Sequence, residues 1–204
     1  QKTAYEIMPS LVGSEMCIRD RVCRFLEEFG AKVISADEVG HRVLEDPKIR
    51  RQLVEAFGRA ILGEDGRVDR KRLGRIVFDD QKALTELNAI VHPPLLERLK
   101  EEISSALRED PGRPVVVDAA LIPEWGISDW FDAVVLVKAP EQLRIARLRN
   151  KGLSEDEARK RVRAQMSEEE RERMASYVIE NAGSLEELKG KVALLWRRLR
   201  GKDA

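Results

Sequence analysis

Apolar residues recur with a helical period from Val22 onward: Val22, Phe25, Leu26 and Phe29 share one face, with Arg24, Glu27 and Glu28 on the other. The period stops at Gly30. Lys32 to Ser35 then read as a buried parallel strand whose carboxyl end leads to Asp37, at the mouth of the next helical pattern, Glu38 to Leu44. Asp46-Pro47 is a cap with proline at the first helical position, launching a helix from Ile49 to Ala60, and Glu64-Asp65-Gly66-Arg67 is a turn. A short basic helix is predicted over Asp69 to Phe78. After it come Ala83, Leu84, Leu87, Ile90 and Val91, a helical stripe that His92-Pro93-Pro94 should end, and a further helix from about Pro94 to Leu107. Residues 45–109 therefore read as one helical subdomain between strands.

Val115-Val116-Val117-Asp118 and Ala133 to Val137 are apolar strands, and Tyr177 to Glu180 is a short one. Between them Pro140-Glu141 opens a helix carrying Arg144, Arg147 and Arg149, and Ser154-Glu155-Asp156-Glu157 is a capping box before Arg159, Arg161 and Arg163. A second capping box, Ser184 to Glu187, precedes a last helix packed through Leu188, Val192, Leu195 and Leu199. Strands separated by helical stretches predict an α/β fold with a parallel sheet covered on both faces. Residues 1–21 show neither period, and Pro9 interrupts the one run there that begins as a strand.

Composition narrows the setting. The 204 residues suit one domain, and 37 basic against 37 acidic side chains leave no global field to draw nucleic acid or an anionic membrane. Cys17 and Cys23 fit neither a disulfide framework nor a zinc ligand set, and His41 and His92, the two histidines, disfavour a histidine metal site. No apolar run approaches the ~20 residues that span a bilayer. A cytoplasmic monomer is expected.

Asp37 and Asp118 each end a strand, where open α/β sheets bind their ligands. With the arginines they describe a phosphoryl-transfer pocket, in which one carboxylate takes the acceptor's proton and the other orients metal-bound water. Each feature also has a plainer reading. Asp37 can be a helix cap, the arginines a solvated surface balanced by Glu141, Glu155 and Glu157, and His92 a helix-end histidine satisfied by a carbonyl. The phosphate-binding pattern Gly-x-x-x-x-Gly-Lys-Ser/Thr is absent.

GAKVISAD at Gly30 to Asp37, FGRAILGEDGRVDRKRLGRIVFDD at Phe57 to Asp80 and LNAIVHPPL at Leu87 to Leu95 occur in order with VVVDAALIPE at Val115 to Glu124. They are followed by GLSEDEARKRVRAQ at Gly152 to Gln165 and ASYVIENAGSLEEL at Ala175 to Leu188. From Val22 to about Leu199 the chain thus resembles the dephospho-coenzyme A kinases. The resemblance implies a P-loop nucleotide kinase-like fold with a helical coenzyme A subdomain over 45–109 and a lid over 141–174. It also implies ATP, Mg2+ and dephospho-coenzyme A as cofactors and substrate, the acceptor being the ribose 3′-hydroxyl. By position it makes Asp37 the catalytic carboxylate, with Arg147 and Arg149 as lid arginines. It sets Asp69, Arg70 and His92 toward the acceptor, where the strand-end reading adds Asp118, and Asn181 and Gly183 toward the adenine. Ser35, Ile145, Ala120 and Ser176 stand where the family has an aspartate, an arginine, a proline and often an aspartate; Arg144 or Arg147 takes the place of the missing arginine.

The family's glycine-rich loop falls on Gly13 to Arg21, where only Gly13 agrees; Arg19 holds the lysine position and Asp20 that of the magnesium-binding hydroxyl. Glu15 brings negative charge, and Met16 and Ile18 bring bulk, where glycines allow close approach. Residues 1–21 are therefore read as foreign sequence joined to a kinase whose central first strand is lost, leaving activity impaired. The alternatives are a non-catalytic coenzyme A-binding homologue and another small-molecule or nucleoside kinase of the same fold.

Overall fold

The computed structural model describes residues 6–10, 16–77, 80–119, 122–150, 154–156, 158–159, 168–181 and 183–201. The chain forms two compact units, residues 1–35 with 105–204 and residues 36–104. The second unit is helical, with bounds inside those expected at its carboxyl end and nine residues earlier at its start.

The first unit is built on a parallel five-stranded sheet, ordered β2-β3-β1-β4-β5. Its strands are β1 (Glu6–Ser10), β2 (Lys32–Ser35), β3 (Val115–Asp118), β4 (Ala133–Lys138) and β5 (Tyr177–Glu180). Every residue of β3 is buried, as is β4 up to Val137, whereas the edge strands β2 and β5 bury only Ile34 and Ile179 and leave their other residues half-buried or exposed. That difference follows from two covered faces at the centre of a parallel sheet.

One expectation is corrected here. The central strand is present, because Glu6–Ser10 lies between β3 and β4, with Ile7 in register with Val116 on one side and Ala133 on the other. Pro9 aligns with Val135. A proline removes a single N–H from the ladder and keeps its carbonyl, so the cost is one bond, about 1 kcal/mol, in a strand paired along both edges.

Helix α1 (Met16–Glu28) begins six residues ahead of the period that announces it. It ends in a Schellman turn: Gly30 adopts φ 105°, its N–H donates to Glu27 O at 2.9 Å, and Ala31 N–H donates to Leu26 O at 2.9 Å. Arg113 fastens this turn, donating from Nε to Gly30 O and from Nη2 to Ala31 O, each at 3.0 Å. Val22, Leu26, Val116, Val135, Val192 and Leu195 then form the core that packs α1 and the last helix on the sheet.

In the helical unit, α2 (Ala36–Glu45), α3 (Pro47–Phe57) and α4 (Arg70–Val77) precede α5 (Gln81–Glu109), which carries on into the first unit. Val39, Val43, Leu53, Leu73, Leu95 and Leu99 are its buried centre. A second correction concerns α5, a single helix running through His92-Pro93-Pro94. Proline in a helix interior costs about 3 kcal/mol, but burial of Leu95, Leu99 and Ile103 beyond the pair keeps the turns in line. The short helices α6 (Ile122–Trp125), α7 (Glu141–Asn150) and α8 (Glu168–Met174) precede α9 (Leu185–Leu199).

Candidate active site

In the sheet unit, register sets Ser35 opposite Asp118 at the carboxyl ends of β2 and β3, and Lys138 opposite Glu180 at those of β4 and β5. Asp118 is buried, at 7% exposure, which is unusual for a carboxylate. The chain between β1 and α1 is the strand-to-helix junction at which phosphate-binding loops sit. Gly13 lies outside the described residues, as do the side chains of Arg19 in α1 and Arg147 in α7.

Asn181 follows β5. Its backbone N–H donates to Lys138 O at 2.8 Å and its side chain is 5% exposed. The Nδ2 donor has no hydrogen-bond partner among the described residues, and a buried amide donor of that kind suits a ligand acceptor. Gly183 has a local explanation: a Cβ there would collide with the Glu187 carboxylate. That carboxylate is half of the capping box of α9, in which Ser184 N–H donates to Glu187 Oε2 at 3.1 Å and Glu187 N–H to Ser184 Oγ at 3.2 Å.

In the helical unit, Asp37 is the second residue of α2 and exposed. It lies in the first turn of the helix, where a carboxylate is favoured by the dipole. His41 comes one turn later on the same helix. Its Nε2 contacts Arg70 Nη1 from α4, a pairing that sequence reasoning missed, although an i, i+4 relation to Asp37 was visible. The His41 pKa is lowered, first by burial and then by Arg70, against the opposing pull of Asp37, Glu38 and Glu45.

Arg70 is aimed by the turn before it. Leu62 and Val68 form an antiparallel bridge, Gly63 N–H donates to Arg67 O at 2.8 Å, and Asp69 N–H donates to Ile61 O at 2.8 Å. Asp69 then caps α4, its Oδ1 accepting from Lys71 N–H at 2.9 Å and Arg72 N–H at 3.2 Å. The Arg72 N–H is the main reason its carboxyl stays below the usual carboxylate range. His92, partly buried on α5, has a pKa lowered by burial.

Arg149 is exposed on α7, with Nη1 3.5 Å from Glu155 Oε2, while Arg159 Nη2 lies 2.9 Å from Glu155 Oε1. Hydrogen bonding and charge from Arg159, then charge from Arg149, hold Glu155 below the carboxylate range. Among the described residues no group of three or more His, Cys, Asp or Glu could hold a metal ion, and no helix is long and apolar enough to cross a membrane.

A family model described as dephospho-CoA kinase matches residues 10–187. The chain is 39% identical over 184 residues to a dephospho-CoA kinase of Thermobifida fusca, covering 89% of this chain and 90% of that protein. Against a dephospho-CoA kinase of Dehalococcoides mccartyi it is 38% identical over 175 residues, 85% of this chain and 88% of the other. The crystal structure of TT1252 from Thermus thermophilus superposes with a TM-score of 0.77 at 34% identity, covering 97% of this chain and 99% of that one. A dephospho-CoA kinase structure from Campylobacter jejuni gives 0.71 at 23% identity over 99% and 100%.

Proposed function

Because the chain belongs to the dephospho-CoA kinase family and has its P-loop kinase-like fold, we propose that its site serves phosphorylation of the 3′-hydroxyl of dephospho-coenzyme A by ATP. The observation that carries this reading is Asp37, an exposed carboxylate in the first turn of the helix that directly follows β2. In this role Asp37 takes the hydroxyl proton as the oxygen bonds to the γ-phosphorus. The bond from that phosphorus to the bridging oxygen breaks, and ADP leaves. Arg147 and Arg149 offset the negative charge spread over the transferred oxygens. Asp69, Arg70, His92 and Asp118 serve the acceptor, and Gly13, Arg19, Asn181 and Gly183 the nucleotide.

Asp118, at the end of β3, would hold magnesium brought in with the nucleotide, which needs only one or two protein carboxylates and would supply neutralisation of phosphate charge. The nucleotide side fits less well. A phosphate cradle rests on several backbone donors, and Gly13 to Asp20 lacks the second glycine, the lysine and the hydroxyl that such a loop supplies. We infer that the chain as written binds dephospho-coenzyme A better than it turns over ATP.

The test compares this chain with a variant carrying Glu15→Gly, Ile18→Gly, Arg19→Lys and Asp20→Ser, assayed with ATP, magnesium and dephospho-coenzyme A. Turnover appearing only in the variant supports the reading. Equal turnover by both would refute the impairment, and none by either would count against the assigned reaction.

A further inference from the structure

Arg67, Arg72 and Arg98 each face a carboxylate, from Asp65, Asp69 and Asp46 respectively. Arg70 does not. Its guanidinium is exposed, and among the described residues its side chain is held by the imidazole of His41 alone. Since an arginine can only donate, Nε2 of His41 must be the acceptor, and the imidazole proton sits on Nδ1. The partner that fixes Arg70 is thus a neutral group, where a carboxylate in the same place would cancel the charge.

That choice of partner has a chemical consequence. A planar guanidinium offers five donors in a rigid fork, and anchoring Nη1 leaves Nε and Nη2 oriented for a second, bidentate acceptor. The acceptor that suits an uncancelled guanidinium is an oxyanion, phosphate above all. Asp37 precedes His41 by one helical turn, so the same face of α2 carries the proposed base and the residue that holds Arg70.

We propose that His41 is a positioning residue, whose neutral imidazole orients the Arg70 guanidinium toward a phosphate oxyanion of the acceptor substrate while leaving its charge intact. This rests on the function proposed above and adds to it a residue that acts through Arg70. The charged groups around His41 agree with a neutral ring: Arg70 and partial burial outweigh Asp37, Glu38 and Glu45 on its own helix.

Two measurements on the 204-residue chain decide the proposal. In imidazole NMR, His41 should be the Nδ1–H tautomer at pH 7.5, and Arg70→Ala should raise its titration midpoint; an unchanged midpoint would overturn the pairing. In calorimetric titration with dephospho-coenzyme A at the same pH, His41→Ala should weaken binding by roughly fivefold to tenfold, and His41→Gln, which keeps a neutral acceptor, by about twofold or less. In an Arg70→Ala background His41→Ala should add nothing. Wild-type affinity in His41→Ala, or a full loss that persists without Arg70, overturns the positioning role alone. A wild-type chain that binds no dephospho-coenzyme A overturns the functional reading, and the orienting role with it, whatever the NMR midpoint shows. Circular dichroism of each variant separates these results from misfolding.

Discussion

Arg98 and Asp46 join two helix ends: Arg98 Nη2 donates to Asp46 Oδ2 at 2.6 Å, while its Nη1 donates to the Arg42 carbonyl at 3.0 Å. The Asp46 side chain is also the N-cap of α3, with Oδ1 accepting from Lys48 N–H at 2.9 Å. One guanidinium thereby satisfies a carbonyl left over at the end of α2 and braces the cap that starts α3. Arg98→Ala should lower the unfolding free energy by about 1–2 kcal/mol, read from the urea midpoint. Arg98→Lys should recover less than half, because an ammonium cannot make both bonds in one plane. An unchanged midpoint in Arg98→Ala would reduce the pair to a surface ion pair of no measurable worth.

Stability should decline as pH falls below the ordinary histidine range. Both His41 and His92 have folded pKa values below the ordinary histidine value of 6.5, burial being the first cause in each. Between the folded and unfolded pKa values the unfolded chain binds more protons, so stability rises with pH across that window and is lost on going down through it. Denaturant midpoints from pH 7.5 to 5 should therefore fall, and His92→Gln should flatten the slope. An identical slope in that variant would exclude His92 as a source.

Gly183→Ala should destabilise α9 through a side chain rather than through backbone strain. The added Cβ would displace the Glu187 carboxylate and break its bond from Ser184 N–H, costing about 0.5–1 kcal/mol, the range of half a capping box. With Glu187→Ala already in place the same substitution should cost little. Equal costs in both backgrounds, measured by thermal unfolding, would point to a different role for the glycine.

Asp37→Asn separates chemistry from folding. In the variant with the glycine-rich loop it should lower turnover by roughly two to four orders of magnitude, the range of a lost general base. Its exposure on α2 predicts only a small loss of stability, about 0.3–1 kcal/mol from the first-turn charge. Turnover equal to that of the parent would mean that Asp37 is not the base.

Some of this protein is settled by local pattern. The strand Lys32–Ser35 has the bounds its β-rich run predicts, and the Asp46-Pro47 start, the Ser184 capping box and the Gly30 stop all behave as read. Each depends on residues within a few positions of one another, where side-chain spacing and cap chemistry act on the backbone directly. The motifs shared with dephospho-CoA kinases were legible for the same reason, as strings of neighbouring residues.

Tertiary structure decided the rest. A proline argued against Glu6–Ser10 as a central strand, yet pairing with β3 and β4 outweighs the one donor it lacks. Pro93 and Pro94 argued for a helix end, yet α5 continues because its apolar side has a core to fill. Arg98 reaches Asp46 across 52 positions and Arg70 reaches His41 across 29. No local period announces such contacts, because they form only when folding closes the loops between them and burial offsets the lost chain entropy.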